Sequence, residues 1–100
     1  MKLIPWYQYV SKGVSMPPEP KKIERVQTGV RIEKRVLKVL KAVAEKHDIG
    51  LGDLIEGIVL HSFEGRPPFG EDTLAFIQQM RLAYGLDLTA EDSHTLAEEG

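Results

Sequence analysis

One stretch constrains this chain more than any other: RVQTGVRIE, beginning at Arg25, the single run with period-two alternation. Val26, Thr28, Val30 and Ile32 share one parity, and Gln27, Gly29 and Arg31 share the other. β-Branched residues on alternate positions predict a half-buried strand. A strand with no neighbour leaves a row of backbone N–H and C=O groups unpaired, so it must find a second backbone. No other run in the 100 residues alternates in this way. The cheapest partner is the same segment from another copy, related by a two-fold axis and therefore antiparallel. The expectation is a homodimer in which Val26, Thr28, Val30 and Ile32 face inward.

After this run the period lengthens. Val36, Leu37, Leu40, Val43 and Ala44 recur at helical spacing from Lys34 to about His47, with Lys34, Lys38, Lys41 and Glu45 opposite. This is the pattern of an amphipathic helix. Asp48, Gly50 and Gly52 break it, and Leu51, Leu54, Ile55, Ile58, Val59 and Phe63 define a second, more apolar helix ending near Glu64 and Gly65. Those apolar positions are too many for one small helix partner, so Leu54, Ile55, Ile58 and Val59 join the expected dimer interface. Gly57 inside this helix costs about 1 kcal/mol relative to Ala and points to a close contact. RPPFG at 66–70 stops the second helix, Leu74, Ile77, Met80 or Arg81, and Tyr84 make a third helical stripe, and Gly85 suits a C′ position. Thr89 with Asp92 resembles a capping box opening a short acidic helix over 90–98. Before all of this, residues 1–24 read as a flexible arm, with Trp6, Tyr7 and Tyr9 ahead of Pro17, Pro18 and Pro20.

Composition removes whole classes of chemistry. With no Cys, disulfide scaffolds, thiolate zinc sites, iron–sulfur clusters and cysteine nucleophiles are all excluded. The three His are scattered: His47 reads as a cap complementing the helix dipole, His61 as a satisfied structural residue, and His94 has no second His near it. Neither a metal nor a cofactor is expected. No serine stands in a nucleophile context and no GxxxxGK loop is present, so the chain does not read as an enzyme. No apolar run approaches the roughly 20 residues that span a bilayer. Pro5, Gln8 and Lys12 interrupt any secretory h-region, so a cytoplasmic location is expected.

The formal net charge of −2 hides a segregation. Residues 21–46 carry nine basic side chains against three acidic ones, whereas residues 64–100 carry eight acidic against two basic. A local cluster of Lys and Arg sets the nearby potential even when the total is negative, and so points toward a polyanionic partner.

Residues 26–63, VQTGVRIEKRVLKVLKAVAEKHDIGLGDLIEGIVLHSF, resemble a ribbon-helix-helix domain of the MetJ/Arc type. The likeness lies in a strand ending in Val-Arg-Ile, an amphipathic helix closing with Ala-Glu-Lys, a short glycine-bearing turn and an apolar helix with Asp-Leu-Ile near its start. It implies a mainly α fold: one strand followed by two helices, the strand paired across a dimer, with an added C-terminal helical region. The domains would be the arm at 1–24, the ribbon-helix-helix domain at 25–65 and an acidic extension at 66–100. In that family the two-stranded ribbon enters the DNA major groove. The resemblance places Gln27, Gly29 and Arg31 on the outward face. Arg31 can donate a fork to guanine, Gln27 can pair with adenine, and Gly29 brings the backbone close to the groove floor. Lys34 and Arg35 become phosphate contacts, as do the amides of Gly50, Leu51 and Gly52 at the start of the second helix. Glu33 places a carboxylate where it suits the dipole of the first helix.

The function expected from these features is a sequence-specific, DNA-binding transcriptional regulator, a repressor, that binds double-stranded DNA as a homodimer and stacks into higher assemblies along it. The alternative is an antitoxin-like interaction module whose acidic region at 66–100 binds a basic protein.

Overall fold

The computed structural model describes residues 21–99. Among these residues there are three α-helices: α1, Lys34–Lys46; α2, Leu51–Phe63; and α3, Glu71–Tyr84. A single turn of 3-10 helix, Ala90–His94, follows them. The arm expected at 1–24 lies largely outside the described residues, and the aromatic cluster within it entirely so.

The ribbon-helix-helix architecture is corrected at its first element. Residues 21–33 run without helix, strand, turn or bend, and every residue from Lys21 to Ile32 is exposed. Val26 and Val30, expected on the inward face, are 80% and 72% exposed. Alternation of β-branched residues favours a backbone that is open to pairing, but a strand exists only once a neighbouring backbone closes the ladder. The Glu33 carbonyl accepts from the Leu37 N–H as α1 begins, but among the described residues no ladder of backbone hydrogen bonds runs along this segment. The mainly α reading stands; the two-stranded ribbon does not.

The three helices end by one device. After α1 the Asp48 N–H donates to the Glu45 carbonyl and the Ile49 N–H to that of Ala44, at 3.1 and 3.0 Å. After α2, Gly65 and Arg66 donate to Ser62 and His61; after α3, Gly85 and Leu86 donate to Leu82 and Arg81. Each is a Schellman motif, which needs one residue in the left-handed region. Gly65 and Gly85 supply it at φ 68° and 65°, but at the end of α1 that residue is Asp48, φ 54°.

The chain divides into two compact units. One takes the segment up to Arg31 together with Gly52–Pro68, and the other takes Ile32–Leu51 with everything from Phe69 onward. In the second unit α1 and α3 pack against each other. The start of α1 meets the end of α3 through Arg35 and Gly85, and the end of α1 meets the start of α3 through His47 and Thr73, so the pair is antiparallel. Val39, Val43, Ala44 and Leu86 are its buried apolar residues, joined by the Thr73 side chain. Val39 stands one turn before Val43 on the face predicted for α1 and completes it. In the first unit Leu54 and Gly57 are buried, whereas Leu60 and Phe63 lie on the open side of α2.

Two substitutions measure these features. Asp48→Gly relieves the left-handed strain and is expected to raise stability by about 1 kcal/mol. Val43, at 1% exposure, loses two buried methyl groups in Val43→Ala, an expected cost of about 2 kcal/mol. Urea unfolding followed by circular dichroism reads both, with opposite signs.

Candidate nucleic-acid interface

Within the first unit, the residues expected to read bases all sit on the open segment. Gln27, Gly29 and Arg31 are exposed. A Cβ added at Gly29 would meet nothing within 4 Å, so neither crowding nor backbone strain in the chain requires glycine there. The segment is tied to α2 by a residue that sequence reasoning did not single out. The Arg25 guanidinium donates from Nε to Glu56 Oε2 at 3.0 Å and from Nη2 to Glu56 Oε1 at 2.9 Å, with a third bond to Asp53 Oδ1 at 3.3 Å. This two-pronged geometry is the strongest an arginine makes with one carboxylate. The hydrogen bond and charge of Arg25 hold the Glu56 carboxyl below its ordinary value. Asp53 and Glu56 fall three apart on one helix face, which was readable; their partner, 31 residues away from Glu56, was not.

The amides proposed as a phosphate cradle open α2. Gly50 and Gly52 are exposed and Leu51 is half-buried. The Asp53 carboxylate in that first turn is engaged by Arg25. His61 is satisfied one turn along, its Nδ1–H donating to the Gly57 carbonyl at 2.7 Å. The expected interface residues Val26, Thr28, Val30, Ile32 and Val59 are exposed, Ile55 and Ile58 are half-buried and Leu54 is buried.

In the second unit, Lys34, Lys38 and Lys41 are exposed on one side of α1. Lys38 Nζ lies 5.6 Å from the centroid of the Tyr84 ring. Arg35 differs from these lysines. Its Nε donates to Glu33 Oε2 at 3.0 Å, and its Nη1 donates to the Gly85 carbonyl at 2.9 Å and to Asp87 Oδ1 at 3.0 Å. The side chain expected on a phosphate is occupied by its own chain. Glu33 is the N-cap of α1, and its Oε1 accepts from the Arg35 and Val36 amides at 2.8 and 3.0 Å. The hydrogen bond from Val36 comes first among the causes that hold the Glu33 carboxyl below its ordinary value, with the Arg35 side chain adding to it against partial desolvation. His47 closes α1, and its Nε2 is 3.0 Å from the Thr73 hydroxyl.

Among the described residues no group of three or more His, Asp or Glu is placed to hold a metal ion. None of their helices is long and apolar enough to cross a membrane. The chain matches no known protein family, no curated protein and no solved structure at a significant level.

The lowered Glu33 value fixes the sign of a pH effect. A carboxyl that ionises more readily when folded stabilises α1 above the ordinary carboxylate range and loses that contribution as pH falls through its own lowered value. Glu33→Gln is expected to reduce α1 helicity at neutral pH and to shallow the loss of helix on acidification, both read by circular dichroism.

Proposed function

We propose that this chain is a non-catalytic DNA-binding protein, a transcriptional repressor that works in the cytoplasm as a homodimer on double-stranded DNA. The observation that carries the reading is the row Lys34, Lys38 and Lys41, exposed along one side of α1. Seven residues of helix cover about 10 Å. That is enough to face several phosphates of a duplex that carries one charge per roughly 1.7 Å of its axis. The open segment adds Gln27 and Arg31, two side chains able to pair with base edges. A basic, irregular arm leading into a helix can lie in a groove as a single strand of backbone, so the reading does not use a two-stranded ribbon. Self-association is favoured by the exposed Val26, Val30, Leu60 and Phe63 of the first unit, apolar side chains that a second copy would remove from water.

Sedimentation with and without a mixed pool of duplex DNA tests both halves of this reading, because dimer formation and DNA binding shift the boundary separately. Lys34→Ala is expected to weaken binding to all sequences alike and to flatten the log–log salt slope by about one unit. Arg31→Ala is expected to cost about 1 to 3 kcal/mol on a preferred site and to relax base preference there. Equal affinity and slope for wild type and both variants would remove the assignment.

A second reading, an interaction module that binds a basic protein, has in its favour the exposed acidic residues Asp87, Glu91 and Glu99 beyond α3. Binding that weakens with salt toward a basic protein, in a chain with no retention on DNA, would select it.

A further inference from the structure

Thr28 stands apart from the other described serines and threonines. Thr73 is buried, with its hydroxyl 3.0 Å from the His47 ring, and Ser62 lies within α2. Thr89, Ser93 and Thr95 donate locally in and around the acidic 3-10 turn, to Asp92, Ala90 and Asp92. Thr28 is exposed near the middle of residues 21–33, where the lack of helix, turn or bend leaves the backbone extended. Lys21, Lys22 and Arg25 precede it against one carboxylate, Glu24, and Arg25 stands three residues before the hydroxyl. No other Ser or Thr in the 100 residues has an arginine at that place.

We propose that Thr28 is a phosphoacceptor for a protein kinase that selects arginine three residues before the hydroxyl. An enzyme that modifies a threonine within a protein must take the chain into its cleft as a single extended backbone, which a helix or a paired strand does not supply. Residues 21–32 are exposed throughout and offer that length already. In the transfer the Thr28 oxygen bonds to the γ-phosphorus of a nucleoside triphosphate as the bond to the leaving diphosphate breaks, and the hydroxyl proton passes to the kinase's catalytic carboxylate. Selection of arginine rests on carboxylates in the cleft, and α2 shows that grip in miniature. Glu56 takes Arg25 at two oxygens, and Asp53 adds a third bond. All three side chains are partly exposed, so the clasp is worth only about five-fold and yields to a kinase. In an extended backbone Arg25 and Thr28 fall on opposite sides, so Arg25 turns to α2 while Thr28 shares the open side with the exposed Val26 and Val30. A phosphate there places a charge of about −1.5 to −2 between two valines. Such a group cannot leave water without a partner, and it subtracts from the positive potential beside Gln27. Phosphorylation therefore opposes both self-association and DNA binding, a consequence that rests on the function proposed above.

The test incubates the full-length chain with ATP and a purified arginine-directed Ser/Thr kinase, and mass spectrometry reads the modified position. Thr28 is expected to take the phosphate. No modification, or modification confined to another residue such as Ser15, which has Lys12 three residues before it, overturns the site. Two variants that both open the clasp separate recognition from loosening. Arg25→Ala is expected to slow the reaction at Thr28 about ten-fold or more. Glu56→Gln is expected to speed it about two- to five-fold. Unless the two shift in opposite directions, the assignment to Arg25 fails. Circular dichroism confirms that each variant keeps its helices. Sedimentation then compares phosphorylated and unmodified chains with and without duplex DNA. Loss of dimer and of DNA binding is expected, and identical boundaries would remove the regulatory role. An unmodified chain that neither dimerises nor binds DNA defeats the earlier reading and this regulatory role together, while the kinase arm still decides the site.

Discussion

The Arg35 guanidinium links more of the second unit than any other side chain described. It lies at the start of α1, where it bonds the carboxylate that caps that helix, and it reaches the carbonyl of Gly85 at the end of α3. Both placements follow from the helix dipole: the anion of Glu33 sits at an amide-rich N-terminus, and the cation sits at a carbonyl-rich C-terminus. One planar side chain thus fixes the antiparallel register of α1 and α3 at one end, as His47 and Thr73 do at the other. A lysine could carry the charge but not the divergent donors, since Glu33 is approached from Nε and both Gly85 and Asp87 from Nη1 of the same plane.

The apolar interior attached to this frame is small. Val39, Val43, Ala44, Leu54 and Leu86 are the buried hydrophobic residues, while Val26, Val30, Leu60, Phe63 and Leu82 lie open. Hydrophobic stabilisation scales with area removed from water, and small domains remove proportionally less of it. Open apolar residues cluster on the segment before α1, on the far part of α2 and on α3, which are the places where further copies would add the most burial.

Much of the helical architecture was legible. The start of α1 at Lys34, the glycine-rich break before α2, the stop at RPPFG, the left-handed Gly85 and the Thr89–Asp92 capping box all follow from local chemistry, and the structure has each of them. The short helix after Thr89 is 3-10 and ends at His94, since the Thr95 N–H closes onto Asp92. The segment before α1 was not legible to the same degree. Alternation is a local property, whereas a strand is a relation between two backbones, and no residue in 26–32 encodes that a second backbone is present. Arg25 and Arg35 were illegible for a related reason. Sequence shows that each is positive, but its partners stand 31 and up to 52 positions away, and only folding brings them within 3 Å.

That last point alters how the basic half of the chain should be weighed. Counting treats its nine cations as equivalent, yet Arg25 and Arg35 are bonded to carboxylates, so their fields are largely cancelled at short range. Lysines dominate what is left on the surface of α1, and they are flexible point charges suited to phosphate rather than to a particular base. The structure therefore separates two roles that composition merges. Arg25 and Arg35 each tie together elements within their own unit, and the lysine row supplies a long-range positive potential whose reach shrinks with salt, to about 8 Å at physiological ionic strength. On the DNA-binding reading, base preference falls to side chains of the open segment that carry a pairing edge, Gln27 and Arg31.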